Sequence, residues 1–76
     1  MEDLMKKTVI NYIFLKDKIK KHFGTNAEFA KAIGISNQEL SNKLNNKTSF
    51  TQEQMITAMN LLSLDENGVY ACFFNI

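Results

Sequence analysis

Asn26-Ala27-Glu28-Phe29-Ala30-Lys31-Ala32-Ile33-Gly34-Ile35-Ser36-Asn37-Gln38-Glu39-Leu40-Ser41 contains one helix, its stop and the start of the next. Thr25 and Ser36 are each followed three residues later by a glutamate, Glu28 and Glu39. In that capping-box pattern a hydroxyl accepts from the N3 amide while the N3 carboxylate returns to the cap amide. Phe29, Ala30 and Ile33 recur with helical spacing, and Gly34 supplies the left-handed residue that ends a helix at little cost. The turn Gly34-Ile35-Ser36 is too short for side-by-side antiparallel packing, so the spacing predicts two helices crossing steeply in a helix-turn-helix.

Outward from this stretch the same grammar repeats. Thr51-Gln52-Glu53-Gln54 is a third capping box, and Ile35 with Leu40 and Phe50 with Met55 form hydrophobic staples. Leu15, Ile19 and Phe23 predict a first helix over 13–23 closed by Gly24, with a lysine-rich outer face. Leu40 and Leu44 are the inward positions of the third helix, and the polar loop 45–49 follows. Met55, Ile56, Met59 and Leu62 mark a fourth helix. In the tail, Val69, Cys72, Phe73 and Ile76 have helical spacing, whereas Tyr70, Cys72, Phe74 and Ile76 alternate as in a strand; Asp65 as N-cap favours the helix. The expected fold is all-α, a compact five-helix domain over 12–76, with residues 1–11 an arm or extension open between coil, helix and strand.

With 76 residues, 45% apolar, there is room for one small domain and not for an elaborate multi-substrate site. The single cysteine, Cys72, and single histidine, His22, supply neither an internal disulfide nor a zinc site. Cysteine usage points to a reducing, cytoplasmic compartment, and the N-terminal apolar patch is too short for a signal peptide or membrane span. Phosphate-loop, nucleophile-elbow and zinc-protease motifs are missing from the sequence, so no enzyme activity, small-molecule substrate or cofactor is expected. His22 receives no functional role, and Cys72 and the methionines are core or interface fillers.

Net charge is +1, unevenly distributed: residues 16–47 carry seven lysines against three acids, and residues 48–76 carry Glu53, Asp65 and Glu66 with no lysine. A basic end on a nearly neutral chain is the footprint of contact with a polyanion through one face.

The run from Asn26 to Ser41 resembles the helix-turn-helix of phage Cro and repressor-type (CI-like) regulators. Family members have a small residue matching Ala30, a turn glycine matching Gly34, and apolar anchors matching Phe29, Ile33, Ile35 and Leu40. The pattern around Leu15 to Ile19, Phe23 to Thr25 and Leu44 to Lys47 is similar to small phage-encoded Cro-like proteins of low-GC Gram-positive hosts. One departure stands out: where the third helix of the family has its second apolar anchor this chain has Lys43, with Leu44 one position later.

The resemblance implies a sequence-specific transcriptional regulator whose recognition helix, 37–45, enters the major groove. Asn37, Gln38, Ser41 and Asn42 are the expected base contacts. Asn and Gln pair with adenine edges, which implies an A·T-leaning operator with Lys43 as guanine reader. Asn26, at a position that meets a phosphate in the family, and Lys31, Lys43, Asn45, Asn46 and Lys47 are the expected phosphate contacts. Four lysines on phosphates would give a salt slope of about −3.6. A homodimer on a pseudopalindromic duplex, with half-sites about 34 Å apart, would use Val69, Tyr70, Phe73 and Phe74, and Lys6 and Lys7 could reach an adjacent groove. The rival reading is a phage protein-binding module on the same scaffold, an antirepressor or an inhibitor of a host defence protein; the missing arginines and near-zero charge favour it.

Overall fold

The computed structural model describes residues 9–76; Lys6 and Lys7, and most of the N-terminal extension, lie outside the described residues. Helix α1 (Ile13–Phe23) begins where the Asn11 side chain accepts from the Ile13 amide at 3.0 Å, and Gly24 closes it by donating to the Lys20 carbonyl. Helix α2 (Asn26–Ile33) starts at Thr25, whose hydroxyl accepts from the Glu28 amide at 3.2 Å. Helices α3 (Asn37–Leu44) and α4 (Gln52–Leu61) both open on complete capping boxes, Ser36 with Glu39 and Thr51 with Gln54. The tail is helical: α5 (Glu66–Phe73) is capped by Asp65, which accepts from the Gly68 amide at 2.8 Å. Among the described residues the architecture is five helices and no strand, as the spacing predicts.

Three of these helices end by one device. Gly34 has φ +83°, donates to the Lys31 carbonyl, and Ile35 donates back to Ala30. This Schellman arrangement requires a left-handed residue and satisfies carbonyls that would otherwise be orphaned. Asn46 (φ 63°) ends α3 in the same way, with Asn46 donating to Lys43 and Lys47 to Asn42. Ser63 (φ 54°) ends α4, with Leu64 donating to Met59.

The core is built from Leu15 and Ile19 of α1, Phe29 and Ala30 of α2, Leu40 and Leu44 of α3, Ala58 of α4, Cys72 and Phe73 of α5, and the flanking Tyr12, Phe50 and Leu62. Phe50, in the loop before α4, meets Tyr12 edge-on at 5.6 Å and Phe73 at 5.1 Å. One ring thereby ties the N-terminal segment, the α3–α4 loop and the tail together, an arrangement aromatic quadrupoles favour. Phe73 is fully buried at 2% exposure, which corrects its expected place in a dimer interface: the ring is needed to close the core against Phe50. Helices α2 and α1, α1 and α5, α2 and α4, and α4 and α5 pack in neighbouring pairs, whereas α3 lies against α2 alone among the helices.

Candidate nucleic-acid interface

The face that α3 turns outward follows from its anchors. Leu40, Lys43 and Leu44 are buried, at the i, i+3, i+4 spacing of one helical face, so the remaining positions face away from the core. Asn37, Gln38 and Ser41 are exposed and Asn42 is half-buried. Gln38 donates from Nε2 to Asn42 Oδ1 at 3.1 Å, leaving the Gln38 carbonyl oxygen and the Asn42 amide hydrogens for an outside partner. Asn45, at the C-cap, donates to Ser41 Oγ at 3.4 Å, a long contact on the same face. The four residues expected at bases are therefore grouped on one surface, and the tail helix is packed elsewhere, on α1 and α4.

The expected phosphate contacts separate into two groups. Asn26, Lys31, Asn45 and Lys47 are exposed around the ends of α2 and α3. Lys43 and Asn46 are committed inside the protein. Lys43 is 7% exposed, its ammonium donates to the Ser49 carbonyl at 2.9 Å, and it lies 5.7 Å from the Phe50 ring centroid. Its place as guanine reader and phosphate contact is thereby corrected: the aliphatic stem fills the anchor position of α3, and the charged tip is held by a carbonyl and an aromatic face. The Asn46 side chain accepts from the Ile10 amide at 2.9 Å and donates to the Ile10 carbonyl at 3.0 Å, pairing with the backbone as a neighbouring strand would. Asn11 donates to the Asn75 carbonyl at 2.7 Å, so residues 10 and 11 are bonded to the end of α3 and to the tail.

With Lys43 withdrawn, the charges exposed on α2, α3 and the following loop are Lys31 and Lys47 against Glu28 and Glu39. The surface is polar and close to neutral, and its recognition capacity resides in amide and hydroxyl groups. The clip of Asn46 onto Ile10 is the feature of this region that sequence reasoning missed; its one signal was the Asn45-Asn46 pair at a helix end, where asparagine is the usual substitute for glycine.

Comparison with protein families matches residues 8–76 to the family described as "Protein of unknown function (DUF739)". The chain belongs to this DUF739 family. Among solved structures, this DUF739 chain is similar to the modulator of repression (MOR) of the temperate bacteriophage TP901-1 from Lactococcus lactis. The two are 31% identical with a TM-score of 0.75, over 92% of this chain and 95% of that one. No curated protein matches. The similarity is thus to a phage regulatory protein, a coarser relationship than the Cro and CI resemblance of the sequence. Among the described residues no helix is long and apolar enough to cross a membrane.

Proposed function

We propose that this chain is a phage regulatory protein that presents the outer face of α3 to the major groove of an A·T-leaning DNA duplex. The observation that carries the reading is the exposed group Asn37, Gln38 and Ser41, with Gln38 braced on Asn42, on a helix started by a complete capping box and packed, among the helices, on α2 alone. Such amides offer paired donor and acceptor groups to adenine. With Lys31 and Lys47 as the exposed lysines of this surface, about two phosphate contacts replace the four first expected, and the salt slope becomes about −1.8. With so few charged contacts, the reading expects weak binding by the isolated chain.

The second reading, a module that regulates by binding another protein, is favoured by the burial of Lys43 and the balance of charge around α3. The printed name of the TP901-1 neighbour, a modulator of repression, fits either route. Selection from random duplexes at low salt, followed by fluorescence anisotropy on the enriched sequence, separates them. The DNA reading expects a saturable site, a slope near −1.8, and a loss of about tenfold or more in Asn37→Ala/Gln38→Ala. No enrichment, with the double substitution leaving regulatory activity intact, leaves the protein-binding reading standing.

A further inference from the structure

An apolar groove lies between α4 and α5, away from α3. Gln52, Met55, Ile56, Met59, Val69 and Phe74 line an open groove of about 450 Å³. Ile56 and Phe74 remain 50% and 43% exposed, and Tyr70, 68% exposed, stacks on Phe74 with ring centroids 6.2 Å apart. Met55 and Val69 also lean on the core, whereas Ile56, Tyr70 and Phe74 are exposed, and none of these side chains belongs to the α3 surface. A channel between two helices, floored by flexible methionines and walled by an aliphatic and an aromatic residue, has the form that receives an amphipathic helix.

The charges around the groove select the occupant. Glu66 is three residues before Val69 and four before Tyr70, which places its carboxylate beside the groove on α5, whereas Glu53 of α4 lines a separate depression with Ile33, Gly34 and Ile35. Asp65 caps the same end of α5. From residue 48 to 76 there is no lysine or arginine to offset them. Lys18, whose charge reaches Cys72, does so from α1, against which α5 is packed. A second copy docking by a two-fold axis would bring two acidic rims into one interface, which like-charge repulsion opposes.

We propose that the α4–α5 groove is a docking site for an amphipathic helix of another protein, one that carries lysine or arginine beside its apolar stripe. This surface is separate from α3 and does not rest on the DNA reading. The test titrates the full chain, followed by amide chemical shifts, with two synthetic helical peptides of roughly 18 residues. Both have leucines at heptad spacing, one with lysines and the other with glutamates on the flanks. The expected result is shifts centred on Ile56, Met59, Val69 and Phe74, with the lysine peptide bound at least about tenfold more tightly and the difference reduced by salt.

Ile56→Glu should weaken that binding at least about tenfold, and Glu66→Lys should remove most of the preference for the lysine peptide. Equal affinity for the two peptides, shifts centred elsewhere, or no binding would overturn the proposal. So would sedimentation showing self-association of the peptide-free chain that Ile56→Glu abolishes, because the occupant would then be a second copy. The assay contains no DNA, so its failure and that of the α3 reading are scored separately.

Discussion

At position 43 a lysine takes the place of an apolar anchor. Its stem packs between α3 and the loop that follows, and its ammonium is satisfied by the Ser49 carbonyl and the face of Phe50. Truncation removes both the packing and a charge-assisted hydrogen bond, so Lys43→Ala should lower unfolding free energy by about 2–4 kcal/mol in urea titrations. Lys43→Met retains most of the stem volume and should cost less, about 1–2 kcal/mol. If DNA binding is measured, Lys43→Met should leave its salt slope unchanged, because the ammonium is already committed to the Ser49 carbonyl. The departure at this residue was visible in the sequence as a lysine at an apolar family position. Its consequence was not, because a lysine at a helix surface and one folded over a core edge have the same local pattern; only the carbonyl of Ser49 and the ring of Phe50, placed by tertiary structure, distinguish them.

Helix ends carry the next level of information. Gly34, Asn46 and Ser63 do the same conformational task, and the non-glycine residues do it under strain. Replacing Ser63, which is exposed, with glycine should therefore raise stability by about 0.5–1 kcal/mol, measured by thermal or urea unfolding. At Asn46 the same replacement should be a net loss, since glycine relieves the backbone but removes both bonds to Ile10. Asn46→Ala should lose about 1 kcal/mol more than Asn46→Gly, the difference reporting the left-handed backbone. Helix starts were legible because Ser, Thr and Asp caps with their N3 partners form local sequence signatures, and all four capped starts fall where those signatures place them. The ends were legible only at glycine. Asn46 and Ser63 lie in stretches that read simply as polar, and a left-handed serine leaves no mark in composition.

Across the whole molecule, packing decides what pattern leaves open. Phe73 and Phe74 are adjacent and cannot both face one core; the structure seats Phe73 against Phe50 and leaves Phe74 at the α4–α5 groove. The grouping of Asn37, Gln38, Ser41 and Asn42 was readable from helical spacing, whereas the bonds from Ile10 to Asn46 join residues far apart in sequence and have no local signature. Burial also sets a dependence on pH. It pushes the Cys72 thiol up from its ordinary 9.0, with Lys18 opposing part of the effect, and the Tyr12 hydroxyl up from 10.0. The folded chain holds these protons to higher pH than the unfolded chain. The stability they contribute is thus complete below the ordinary values, starts to fall as pH passes 9.0 for Cys72 and 10.0 for Tyr12, and goes on falling until pH exceeds the raised values these groups have in the folded chain. Urea titrations at successive alkaline pH values should show this decline, with Cys72→Ala removing its first part; a flat profile would contradict it. The enclosure of one amine among many open ones gives the protein a built-in stopwatch. Acylating reagents would tag Lys16, Lys20, Lys21, Lys31 and Lys47 in the native state, but would reach Lys43 only during excursions in which α3 lifts from its seat, so mass accumulating there would time those excursions.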